Sequence, residues 1–273
     1  MCKRTYLYST PPPLGLKDSH LAHYIVFLDS DDYLESDALA HSYDILRQES
    51  VDVLVYSVIA ARKSDTYARV KFDYTIFPLN LAGLYTPKDL IVALGGYRII
   101  TTIGGFVCKA SVAFENNLSF IPHIIYEDIA FCTQAVLRCK TLYISHKQIY
   151  NYVFSPNSTM RGQLQRDKWI KITYSYFITL DFFKQALLES SDDVLREYYH
   201  RTCLDIAKRL MRSLQFVGYT QELGFNKQDL APFLPYIKGK YRICYHFPRI
   251  YGFPKRCRLA FKQWLESLSS NHI

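Results

Sequence analysis

Apolar positions come in short unbroken runs through the first 160 residues and recur at helical spacing through the rest. Residues 1–23 have no sustained period and include Pro11-Pro12-Pro13, which predicts irregular chain. Tyr24-Ile25-Val26-Phe27-Leu28 is a continuous apolar run that stops in Asp29-Ser30-Asp31-Asp32, the pattern of a strand covered on both faces. Ser36 is a good N-cap for a helix to about Gln48, and the β-branched run from Val51 to Ile59 predicts the next strand. Strand, helix and strand in that order indicate an α/β sheet. Residues 62–85 read as loop and edge strand. Thr86-Pro87 opens a short helix that Gly95-Gly96 closes. Residues 97–125 alternate short apolar runs with Gly104-Gly105. Glu127-Asp128 begins a helix to about Cys139, with Ile129, Phe131, Cys132, Ala135, Val136 and Cys139 on its apolar face. Strands follow at 141–145 and 149–154, then helices at about 164–189, 193–217 and 255–268. The expected fold is α/β, a mixed sheet with flanking helices in residues 1–160, followed by a helical, basic region in residues 161–273.

Composition is that of an ordinary globular chain, with 49% hydrophobic and 21% charged residues, which excludes disordered and collagen-like classes. Tyr and Phe are unusually abundant, 23 and 17 among 273 residues, and such rings suit sugar faces, interfaces and membrane headgroups as well as cores. The net charge of +8 is uneven: from Arg196 onward 14 Lys/Arg face 5 Asp/Glu, leaving the first 195 residues near neutrality. Seven scattered cysteines with no CxxC argue against a disulfide framework or a structural zinc site. Neither a signal peptide nor an apolar run of membrane-spanning length is present in the sequence, so the expected location is cytoplasmic.

Asp29, Asp31 and Asp32 carry the clearest chemistry. Three carboxylates within four residues repel one another, and unpaired burial would be costly. A strand ending in such a cluster places it at the sheet's carboxyl edge, where α/β proteins bind ligands. Strand periodicity points Asp29 and Asp31 the same way. Clustered carboxylates suit Mg²⁺ or Mn²⁺ gripping a diphosphate. The plainer explanation is a polar turn in which Asp31 or Asp32 caps the next helix. For Glu127-Asp128 it is ordinary acidic enrichment in a helix's first turn.

Residues 24–39, YIVFLDSDDYLESDAL, resemble the DxD strand and following helix of family 2 glycosyltransferases of the GT-A fold, the type that builds bacterial surface polysaccharides such as lipopolysaccharide and capsule. Residues 104–120, GGFVCKASVAFENNLSF, are similar to that family's acceptor-side segment. Residues 124–145, IIYEDIAFCTQAVLRCKTLYIS, resemble its Glu-Asp helix and the next strand, and 149–160, IYNYVFSPNSTM, its Tyr-x-Tyr strand and Ser-rich loop. The resemblance implies a partial GT-A, Rossmann-like fold and sugar transfer with inversion from a nucleotide-sugar donor to a glycan or lipid-linked acceptor. It implies that Asp31 binds the metal, that Asp29, helped by Asp32, holds the ribose side of the nucleotide or the metal's water shell, that Asp128 is the general base, and that Glu127 orients the base or the acceptor. His146 is a further metal candidate and Arg161 a diphosphate candidate. Tyr150 and Tyr152 read as a packed edge rather than a sugar platform.

Family members begin with further βα units that hold the base. Here only 28 residues precede Asp29, of which LGLKDSHLAHYIVF resembles a worn form of the helix before the DxD strand. The expectation is a donor-binding half lacking its first strands: a truncated product inactive alone, a chain complemented by a separate N-terminal half or a homodimer, or a chain whose upstream residues are cut off by a misassigned start codon. A rival enzyme class is a haloacid-dehalogenase-like phosphatase with Asp29 as nucleophile and Asp31 as acid. A non-catalytic rival works through the basic tail, where Tyr241, Tyr245, Phe247, Tyr251 and Phe253 interleave with Lys/Arg. With no RNA-binding motif recognisable, peripheral contact with the inner face of the cytoplasmic membrane is the expected use of that tail, and nucleic acid is not an expected partner.

Overall fold

A computed structural model of the chain describes residues 5–7, 24–63, 66, 74, 75, 77, 79–95, 103–154, 166–255 and 257. They divide into two compact units, the first within 1–122 and 126–162, the second formed by 123–125 and residues from 163 onward.

In chain order the first unit contains β1 (Thr5–Leu7), β2 (Tyr24–Leu28), β3 (Tyr33–Leu34), α1 (Ala38–Glu49), β4 (Val53–Tyr56), β5 (Val58–Lys63), β6 (Tyr74–Thr75), β7 (Gly83–Tyr85), α2 (Pro87–Ala93), β8 (Phe106–Lys109), α3 (Ala110–Glu115), α4 (Glu127–Arg138), β9 (Leu142–Ser145) and β10 (Tyr150–Phe154). Six strands form a large mixed sheet in the order β1-β2-β8-β4-β9-β7, and four form a small one in the order β3-β10-β5-β6. The predicted α/β class with a mixed sheet is what the chain adopts.

Several elements follow the sequence pattern closely. Thr86 caps α2 by accepting the Asp89 N–H, with Pro87 at the first helical position. In α4, Ile129 through Leu137 are all buried, and Cys132 and Cys139 are both core residues. Three expectations are corrected. The apolar run at 51–59 is two strands: the chain leaves the large sheet at Ser57 and enters the small one. There the Tyr56 N–H donates to the Gly105 carbonyl and the Ser57 N–H to that of Ser145, each at 2.8 Å. Residues 51–57 are buried without exception, so no alternation marks the switch. Next, α1 starts after Asp37 rather than Ser36, with no side-chain cap, while Asp37 accepts from Lys147 Nζ at 2.6 Å. Lastly, residues 5–7, expected to be irregular, pair antiparallel with β2. Three residues are too few to show a period. β2 is less covered than its apolar run suggests, with only Phe27 fully buried.

The second unit is built on α5 (Arg166–Glu189) and α6 (Asp193–Val217), an antiparallel pair joined by a short loop. Asp192 caps α6 by accepting from the Val194 and Leu195 N–H groups. Leu180, Phe183, Cys203, Ile206, Leu210, Met211 and Leu214 form its fully buried centre. Trp169 stacks on Phe216 at 4.2 Å and Phe177 on Phe225 at 4.3 Å. Short 3-10 helices at Gln221–Leu223 and Ala231–Tyr236 lead to α7 (Tyr241–His246) and to helical residues 248–255. The helix expected at 255–268 lies almost wholly outside the described residues. Among the described residues, no helix is long and apolar enough to cross a membrane.

Candidate active site

Strand directions locate the two acidic groups. β2 runs antiparallel to β8, and β8 antiparallel to β4, so β2 and β4 are parallel; β9 is parallel to β4 as well. All three therefore finish at one sheet edge, where the chain continues as Asp29–Asp32, Ser57 and His146. The link from α4 to β9 is held at the opposite edge. Asp52, just before β4, accepts the Lys140 N–H at 2.8 Å, and its own N–H donates to the Thr141 carbonyl at 3.1 Å. The C-terminus of α4 thus sits at the amino edge, and the helix runs back so that Glu127 and Asp128 open at the carboxyl edge. Ring contacts agree. Phe27 of β2 meets Phe131 of α4 edge-on at 5.4 Å, and Phe120 stacks on Phe131 at 4.6 Å. Asp29 follows Phe27 on one strand face, and Asp128 precedes Phe131 by one helical turn. Clusters almost a hundred residues apart are brought to one edge.

The turn after β2 is stitched to β10. The Asp32 N–H closes it on the Asp29 carbonyl at 3.1 Å. Asp32 Oδ2 accepts from the Tyr150 hydroxyl at 2.7 Å, and Oδ1 from the Val153 N–H at 2.8 Å. The same hydroxyl accepts from the Asp29 N–H at 3.3 Å. Asn151 Nδ2 donates to Glu35 Oε1 at 2.9 Å, a few residues further on. Burial pushes the Asp32 carboxyl up to about 6; its two hydrogen bonds oppose the shift, and the charges of Asp31 and Asp29 add to it. Burial, then the Asp32 charge, likewise raises the Tyr150 hydroxyl. Gly104 makes room for this ring, since a Cβ there would lie 2.9 Å from it.

The acidic triplet is therefore divided by role. Asp32, expected to assist Asp29 toward the nucleotide or the metal's water shell, commits both oxygens to the fold. Asp31 is exposed and Asp29 half-buried. Tyr150 is a buried clamp, in keeping with a packed edge, and Tyr152 is half-buried. Among the described residues, no three His, Cys, Asp or Glu side chains gather as a metal cage. One or two carboxylates do fit a hard divalent cation that keeps waters and draws further ligands from a diphosphate. His146 follows β9, three strand spacings from β2, or about 14 Å. Its Nδ1 is hydrogen-bonded to Ser57 Oγ, while its Nε2 is buried without a hydrogen-bond partner among the described residues. That placement does not bring it to Asp31. Arg161 and the Ser158 loop lie outside the described residues.

No protein-family profile matches the chain. Over 138 residues it is 29% identical to the poly(ribitol-phosphate) beta-glucosyltransferase of Bacillus spizizenii, a match covering 48% of this chain and 19% of that enzyme. The chain is similar to a glycosyltransferase. It spans less than a fifth of that relative in the matched stretch.

Two features of this sheet edge had no counterpart in the sequence reading. Tyr126 caps α4 in the left-handed conformation at φ 64°, directly before Glu127-Asp128. A bulky residue there is strained and persists only where its surroundings fix it. Asp52 ties the far end of α4 to β4 and β9. Its signal was a carboxylate placed inside an otherwise apolar run.

Proposed function

We propose that the first unit transfers a sugar, with inversion at the anomeric carbon, from a nucleoside-diphosphate donor to a hydroxyl of a glycan or lipid-linked acceptor, in the synthesis of a cell-surface polysaccharide of the lipopolysaccharide or capsule kind. The observation that carries this reading is the arrival of the Asp29–Asp31 turn and the Glu127-Asp128 helix start at one carboxyl edge. Asp128 accepts the acceptor hydroxyl's proton as that oxygen bonds to the anomeric carbon. The bond from the anomeric carbon to the diphosphate oxygen breaks, and the nucleoside diphosphate leaves with the electron pair. Glu127 orients Asp128 or the acceptor, and Asp29 holds the ribose side of the donor. Asp31 with Asp29 would hold Mg²⁺ or Mn²⁺, which would supply positive charge against the departing diphosphate. Asp32 and Tyr150 act indirectly by fixing the turn that carries Asp29 and Asp31.

The glucosyl group and the poly(ribitol-phosphate) in the relative's name are the first donor and acceptor to test. Titrating nucleoside diphosphates and their sugars into the full chain should give binding that a chelator abolishes and that Asp31→Asn weakens at least about tenfold. Asp128→Asn should keep that binding and lose transfer, read as product formation with anomeric configuration assigned by NMR. Chelator-insensitive binding, or full transfer by Asp128→Asn, overturns the proposal.

A further inference from the structure

The segment after the Ala231–Tyr236 turn is anchored along one side and bare along the other. Cys244 is fully buried, and its Sγ donates to the Met211 carbonyl of α6 at 3.2 Å. The Tyr245 carbonyl accepts from the Tyr219 hydroxyl at 2.8 Å, and the Tyr245 hydroxyl donates to the Lys227 carbonyl at 3.2 Å. Pro248 and Gly252 are buried, and the Arg249 stem crosses Gly218 so closely that a Cβ there would lie 2.8 Å from it. Opposite these anchors stand Ile243, Phe247, Ile250 and Phe253, exposed by 56, 59, 73 and 63%. Ile243 and Phe247 stand four residues apart on α7 and its C-cap, and Ile250 and Phe253 three apart on the helical residues 248–255, so each pair shares a face of its own segment. The two segments meet at Phe247, which leaves helical geometry at φ -138° and ψ 63°; its N–H donates to the Ile243 carbonyl and its carbonyl accepts from the Tyr251 N–H.

The charge along this segment has one sign. Arg242, Arg249 and Lys255 are exposed on it, and no acidic residue occurs between Asp229 and Glu266. At the start of α7 a cleft of about 420 Å³ is lined by Lys208, Lys238 and Lys240 together with Tyr236 and Tyr241. A surface that is both apolar in a line and uniformly basic asks for an occupant with an oily interior and a negative skin. A second copy of the chain would set basic flank against basic flank, which is repulsive. The interface of an anionic bilayer meets both demands.

We propose that this face seats the second unit on an anionic lipid surface. Ile243, Phe247, Ile250 and Phe253 enter the boundary between headgroups and acyl chains, and the lysine-lined cleft receives the phosphate of an anionic headgroup. The proposal is independent of the reaction catalysed by the first unit. Its test is co-sedimentation of the full chain with phosphatidylglycerol-containing vesicles and with pure phosphatidylcholine vesicles. Binding to the anionic vesicles should be at least about tenfold tighter and should weaken with added salt. F247S/I250S should lower anionic-vesicle binding about tenfold or more, and K238Q/K240Q about fivefold for each lysine removed. Both variants replace surface residues, and unchanged circular dichroism and melting temperature would confirm their folds. Equal partition into both vesicle types, no binding to either, or anionic binding unchanged in both folded variants overturns the proposal. So does a wild-type dimer in analytical ultracentrifugation that F247S/I250S makes monomeric without any lipid preference, or inorganic phosphate binding unaccompanied by vesicle binding.

Discussion

The turn after β2 and the first turn of α4 present the same functional group at the same sheet edge, yet different forces hold them there. The β2 turn is fixed by polar bonds to β10: Tyr150 and Val153 on Asp32, Asn151 on Glu35. Beneath it only Phe27 of the strand is fully buried. α4 is fixed by packing, with nine consecutive buried residues and Phe131 in a three-ring cluster with Phe27 and Phe120. The Tyr150 hydroxyl bonds both Asp29 and Asp32, so it takes part at two points in fixing the turn that the proposed function assigns to the donor. The side carrying Asp128 shifts only if the core does. Adjustable polar stitching suits a turn that meets a charged, exchangeable ligand; rigid packing suits a base that must meet one proton in one place.

Four substitutions probe that contrast. Asp128→Asn should reduce transfer by about 10²–10⁴-fold while leaving the melting temperature unchanged; a loss near tenfold in initial rate would place the base elsewhere. Phe131→Ala should destabilise the chain by about 3–5 kcal/mol in urea unfolding, showing that packing holds α4. Tyr150→Phe keeps the ring over Gly104 but removes the clamp. It should cost about 1–3 kcal/mol and weaken metal-dependent nucleotide binding with little change in the core, measured by calorimetric titration beside unfolding. If Tyr150→Phe leaves nucleotide binding intact, the stitching does not govern the donor side. The smallest effect concerns pH in metal-free protein. The Asp32 carboxyl sits at about 6 in the folded chain and at about 4 when unfolded. Between those values the folded state binds more protons, so stability is greatest below the window, falls as pH rises through it, and is level above. Asp32→Asn should remove that slope, worth at most about 3 kcal/mol, in urea melts with chelator from about pH 4 to 7.

What the sequence disclosed follows from how local each signal is. α2 announces itself through Thr86 and Pro87, α4 through the spacing of its apolar residues, and β9 and β10 through their runs. The acidic turn was legible because a strand stopping in three aspartates has few explanations. The bond between Tyr150 and Asp32 joins residues 118 apart, and no periodicity encodes such a pair. The crossing at Ser57 was hidden because residues 51–57 are buried without a break and apolar residues continue beyond them. In the second unit the mixture of rings and basic residues was visible, but its sorting was not. Tyr245 turns inward and the Tyr241 hydroxyl accepts from Arg212. The bare row includes Ile243 and Ile250, which composition did not single out.

The double passage between sheets has a mechanical consequence. β4 continues into β5 and β9 into β10, side by side and parallel in both sheets, so the small sheet is cantilevered from the large one on two adjacent spars. Tyr150, Asn151 and Val153 ride on one of those spars, and a tilt of the cantilever is transmitted through them to the loop bearing Asp31. A load applied at β6, an edge strand of the small sheet, would reach the Asp29–Asp32 turn through the bonds that tie Asp32 to β10.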